Sequence, residues 1–183
     1  MARIPQVTSK EQLKAEDRKY FDEIVGSRGG IRGPFGVLLH SPKLAACVAA
    51  TGAYARFEAD VPNSLKEVVI LATAREIKAQ YEFTAHARLA REAKVSENTI
   101  QAIARGTAPR GLSGDEEIVV RYVQELLRNH KIGDATFNAV KNRFGIQKTV
   151  DLTALIGHYL LVGQILAAFD VELAPGTKPE LPL

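Results

Sequence analysis

Glu67 and the run Gln80-Tyr81-Glu82-Phe83-Thr84-Ala85-His86 hold the residue types from which acid–base chemistry is built. Glu82 and His86 stand four residues apart, so on a helix their side chains share a face and can hydrogen-bond. A carboxylate beside an imidazole raises its basicity and fixes its tautomer, which suits a general acid or base near neutral pH. Glu67 sits shortly upstream in an otherwise apolar segment. Two carboxylates and a histidine between packed helices would shift one another's pKa values, as proton transfer requires. Two plainer readings stay open. Glu82 and His86 fit an ordinary surface pair, and Glu67, three residues after Ser64, fits the N3 position of a capping box.

Further candidates are single residues. His40 precedes Ser41-Pro42 and reads either as a pocket histidine or as a helix C-terminal cap. Arg28 and Arg32 flank a Gly-rich connector, and a guanidinium there can hold an acidic ligand. Tyr81 reads as a pocket wall or as core, while His158, beside Gly157 and Tyr159, reads as buried against another helix or subunit. Several chemistries lack their motifs. Residues 26–33 fit neither GxGxxG nor a Walker loop, and no GxSxG elbow or HExxH pair occurs. The single cysteine, Cys47, cannot form an internal disulfide or a CxxC pair. Its Ala/Val-rich setting predicts a buried, unreactive thiol.

The elements that must position these residues read as helices. Strand signals are nearly absent, whereas helical periodicity with start signals recurs along the chain. Thr8-Ser9-Lys10-Glu11 has capping-box spacing before a helix ending near Gly26. Pro34 and Pro42 open helices through Leu39 and about Phe57. Residues 65–74 are apolar on almost every face, which predicts a central helix, with an antiparallel neighbour over Tyr81–Ala93. Ser96 caps a helix to Arg105-Gly106, and Ser113 with Glu116 boxes another that runs to His130. The longest loop is Thr107–Gly114. Two more helices follow, about Asp134–Phe144 and Thr149–Phe169, before a proline-bearing extended tail over 174–183 that is available to a partner subunit. The expectation is one all-α domain, 1–183, of seven to nine helices with its core over about 20–172.

Composition agrees with a globular chain. Of 183 residues, 46% are hydrophobic and 25% charged, which excludes disordered and fibrous classes. The net charge of +3 carries no basic block, so nucleic acid is not an expected partner. No uninterrupted apolar run reaches the roughly 18 residues of a membrane span. The longest candidate, Leu152–Phe169, is broken by His158 and Gln164. The first residues lack the apolar core of a signal peptide, so a cytoplasmic location is expected. The apolar surface of segments 65–74 and 152–169 predicts a homo-oligomer.

Leu65-Lys66-Glu67-Val68-Val69-Ile70-Leu71, Ala74-Arg75-Glu76 and Gln80 to His86 together resemble the carboxymuconolactone decarboxylase family, relatives of the alkyl hydroperoxidase D proteins. The resemblance extends to residues 33–42 and 151–159 and covers roughly 20–172. It implies an alkyl-hydroperoxidase-D-like helical bundle assembled as trimers or hexamers. The peroxidase branch has a glutamate, a CxxC pair and a histidine, which fall here on Glu67, Ala79, Glu82 and His86. Both thiols are missing, and dithiol peroxide reduction needs an attacking and a resolving sulfur. The chain looks like the decarboxylase branch, for which the resemblance implies Glu67, Glu82 and His86 as acid–base residues. It also implies a small carboxylated substrate and no cofactor or metal. A thiol-peroxidase relative and a non-catalytic small-ligand-binding oligomer remain the alternatives.

Overall fold

Ten consecutive residues, Leu65 to Ala74, are buried, including Lys66 and Glu67, because their helix is enclosed on all sides. The computed structural model describes residues 2–107 and 112–183; part of the expected 107–114 loop, residues 108–111, lies outside the described residues. Among the described residues there are eight α-helices and no strand. They are α1 (Arg18–Arg28), α2 (Pro34–Leu38), α3 (Pro42–Ala53), α4 (Asn63–Glu76), α5 (Gln80–Glu92), α6 (Glu97–Arg105), α7 (Gly114–Asn129) and α8 (Asp134–Ala168). The central α4 packs against α5, α6, α7 and α8, as its all-round apolar pattern requires. A π-helical turn, Tyr54–Glu58, continues α3.

Start signals explain the helix ends, with one departure from the sequence reading. Ser96 caps α6 by accepting from Thr99 N at 3.1 Å, and Ser113 with Glu116 boxes α7. At the N-terminus the box forms one residue later than expected: Gln12 Oε1 accepts from Ser9 N at 3.0 Å. It opens only a 3₁₀ turn, Lys10–Gln12, and a second turn, Ala15–Asp17, precedes α1. The expected pair of C-terminal helices is present as two helical segments within α8, broken at Gly145, whose φ of 84° and ψ of 169° only glycine adopts readily. By length and composition alone α8 could cross a membrane, yet half of its most apolar window is buried inside the protein.

The C-terminal tail folds back on its own chain rather than standing free. Leu181 joins the core, Glu180 N donates to Thr84 Oγ1 at 3.1 Å, and Arg91 pairs with the Glu180 carboxylate at 2.6 Å. These contacts tie the tail to α5, the helix that carries Glu82 and His86.

Candidate active site

The turn over 77–79 joins α4 to α5 and sets Glu67 beside His86. The His86 Nδ1–H donates to Glu67 Oε2 at 2.7 Å, since a carboxylate can only accept. That leaves Nε2 as the basic nitrogen. It accepts from the Tyr159 hydroxyl at 3.0 Å and lies 3.5 Å from Glu82 Oε2. Glu67, Glu82 and His86 are 9%, 6% and 4% exposed, so a solvated surface pair is excluded. The capping role for Glu67 also falls. Pro62 occupies the N-cap of α4 and Asn63 begins the helix, which leaves Glu67 a full turn inside with its carboxylate on His86.

Burial decides the protonation of this group. Desolvation pushes the Glu82 carboxyl upward, against the pull of His86, Arg56 and Arg28. Burial likewise holds the Tyr159 hydroxyl well above its usual value, so it stays a neutral donor. Its ring meets His86 edge-on at 4.9 Å and His158 edge-on at 5.3 Å.

A cavity of about 190 Å³ opens at His86, Glu82, Tyr159 and His158. Arg28, Arg32, Arg56 and Tyr81 complete its polar lining, with Arg32 exposed at the surface. Its charge is dominated by three guanidiniums against the single carboxyl of Glu82. Glu67 faces the other way, into a second cavity of about 300 Å³ shared with Lys66, Arg56 and Glu92. The Glu67–His86 hydrogen bond therefore links the two cavities.

The other sequence candidates divide. Tyr81 and Arg32 line the first cavity, whereas Phe83 is fully buried core. His40 does not reach it: the ring is exposed, hydrogen-bonds the Pro5 carbonyl at 2.8 Å and lines a separate depression near the N-terminus. The N-terminal segment takes up the imidazole through the Pro5 carbonyl. Sequence reasoning missed Tyr159 and Arg56 and gave His158 only a packing role. Arg56 carries no motif; the available signal was Tyr159 within the 151–159 segment. Among the described residues no set of three His, Cys, Asp or Glu side chains has metal-binding geometry.

Cys47 corrects the sequence reading. It is exposed, because α3 buries Ala45, Val48, Ala49 and Gly52 and turns position 47 outward. Its thiol is expected to react with an aromatic disulfide reagent in the native protein. Labelling that begins only on unfolding would contradict this. It lines neither cavity, so Cys47→Ser should leave the chemistry of the site intact.

The all-helical scaffold has an alkyl-hydroperoxidase-D-like fold. Residues 42–125 match the carboxymuconolactone decarboxylase family. Among solved structures it is similar to an alkylhydroperoxidase AhpD core, an uncharacterized peroxidase-related protein from Ralstonia eutropha JMP134. The TM-score is 0.77 at 16% identity, with 98% of each chain covered. It is also similar to the debrominase Bmp8. The apo form gives 0.75 at 12% identity over 94% of this chain and 92% of that one. A substituted form in complex with 2,3,4-tribromopyrrole gives 0.73 at 14% identity over 96% and 95%. At these identities the likeness is one of fold. No curated protein matches the sequence.

Proposed function

We propose that the protein is a cofactor-free lyase that decarboxylates a small carboxylated lactone or related keto-acid, using Glu67, Glu82 and His86 to move the proton. The observation that carries this reading is the fixing of His86 at both ring nitrogens, at the wall of a cavity rich in cationic groups. As the bond to the carboxylate breaks, CO2 leaves and its electron pair passes into the conjugated carbonyl. The resulting dienolate then takes a proton on carbon. His86 delivers that proton from Nε2 of its imidazolium form and is left with a bare Nε2, which accepts from the Tyr159 hydroxyl. Glu67 holds Nδ1–H and stabilises the imidazolium, and Glu82, whose carboxyl burial pushes toward its protonated form 3.5 Å from Nε2, passes a proton on to Nε2 after each turnover. Water in the first cavity, which Glu82 lines, returns a proton to that carboxyl, so one proton is taken up for each CO2 released.

The test is a panel of enol-lactone carboxylates and β-keto-acids scored for CO2 release and loss of ultraviolet absorbance. Turnover that disappears in His86→Ala is expected. Binding without turnover across the panel would instead make this a ligand-binding member of the fold. A homo-oligomer, a trimer or hexamer, belongs to the same proposal. Exposed Phe57, Ile146 and Val150, at 60%, 73% and 60%, are the apolar side chains that support it. A light-scattering mass of 19.9 kDa at micromolar concentration would remove that part.

A further inference from the structure

Lys66 lies in the first turn of the central helix α4 and is only 4% exposed, among mostly apolar neighbours. A buried ammonium is costly unless it is paired, and a cation near a helix N-terminus opposes the dipole. A methionine of similar length would suit the packing better. What the lysine supplies is a donor: its ammonium donates to the Arg56 carbonyl at 2.9 Å. The carboxylates of Asp151, Asp60 and Glu67 face the charge and offset part of its burial.

The carbonyl belongs to the π-helical turn Tyr54–Glu58, a rare geometry closed by Ala59 N donating to the Tyr54 carbonyl at 2.9 Å. The turn ends at Glu58, so no following turn supplies an N–H for the Arg56 carbonyl. Two core helices hold it instead. Lys66 reaches in from α4, and Asp151 of α8 accepts from the Tyr54 hydroxyl at 3.2 Å. The Arg56 side chain is tied less firmly. Its guanidinium lies 4.9 Å from the centre of the Phe57 ring, and its Nε is buried without an acceptor. The backbone therefore decides where the charge stands. That charge lines both cavities and faces Glu82, His158 and Tyr159.

We propose that Lys66 is a positioning residue: by holding the Arg56 carbonyl it fixes the π-helical turn and sets the Arg56 charge beside the acid–base group. It acts through Arg56 rather than on substrate. Its effect on turnover rests on the acid–base reading above, whereas its effect on Arg56 does not. Arg56 holds Glu82 and His158 below the values that burial alone would give. If the turn relaxes and the guanidinium moves away, both groups bind protons at higher pH. His158 also faces Arg28 and His86, which the variants below leave in place.

The test follows the His158 ring signal of the full-length protein by NMR as pH falls, with His158→Gln to assign it. Lowered to about 4, wild-type His158 should stay largely neutral down to about pH 5. Lys66→Met keeps the apolar stem but removes the donor, and its His158 should titrate at clearly higher pH. Arg56→Gln should do the same, and the double variant should go no further than Arg56→Gln, since both act through one charge. Hydrogen exchange separates this from plain destabilisation. The Ala59 amide should exchange about tenfold faster in Lys66→Met, while amides inside α5 and α7 keep their wild-type rates. Should Lys66→Met not fold, Lys66→Gln, one bond too short for the carbonyl, is read in the same way. A wild-type His158 curve in Lys66→Met or in Arg56→Gln, additive shifts in the double variant, or faster exchange in every helix would each overturn the proposal. Turnover distinguishes the two readings. On a decarboxylated substrate the alkaline limb of kcat/KM should move to higher pH in Lys66→Met. If His158 moves but that limb does not, Glu82 is not the acid, and the placement of Arg56 by Lys66 stands.

Discussion

His86→Ala and Glu82→Gln are expected to lower kcat on a decarboxylated substrate by about 10²–10⁴-fold, the range of a positioned acid or base. Glu67→Gln should fall at the lower end, near 10²-fold, because an amide oxygen still accepts from Nδ1 but no longer balances an imidazolium. Double variants should cost little more than the worse single one, since the three act on one proton. Stability separates this from a structural role. Burial raises the Glu82 carboxyl above its unfolded value. The carboxyl is protonated in both states at low pH, and stability is lost as pH rises from the unfolded value through the folded one. Glu82→Gln removes that loss. Its Tm near pH 7.5 should therefore equal or exceed the wild type even as turnover falls, whereas a merely structural carboxyl predicts a lower Tm with normal rates. Wild-type turnover in all three variants would place the chemistry elsewhere.

Much of this site was legible in the residues because both of its helices announce themselves. The all-round apolar stretch Leu65–Ala74 could only be an enclosed helix, and an acid within it had to find a partner. The i, i+4 spacing of Glu82 and His86 then put two further groups on one face of the next helix. Sequence spacing failed where tertiary contact decides. Ser64-to-Glu67 spacing pointed to a capping box, but the proline at 62 starts α4 earlier and frees Glu67 for His86. The cationic half of the cavity left almost no local signal. Arg28, Arg56 and His158 lie far apart in the chain and are joined by a π-helical turn and by the bare backbone at Gly52. Neither device follows from periodicity. Cys47 was misplaced for a simpler reason: alanine-rich composition does not say which face of α3 is turned inward, and the buried stripe runs through 45, 48, 49 and 52.

Acid is expected to unfold the protein partly through His158. Burial, with the Arg28, Arg56 and His86 charges facing it, lowers this imidazole from 6.5 to about 4. The ring is neutral in the folded protein, while the unfolded chain takes up a proton below pH 6.5. Its contribution to stability is thus full above pH 6.5 and is lost as pH falls toward 4. The span is worth about 3 kcal/mol, against a total of roughly 5–15 kcal/mol for a typical domain. His158→Gln keeps a polar side chain that cannot titrate, so its urea midpoint should fall less between pH 6.5 and 4.5 than that of the wild type. The Glu97 carboxyl, held near 2 by Arg91, loses its contribution only below about pH 4.5 and leaves this window clear. Identical midpoints for the two proteins across it would refute the assignment.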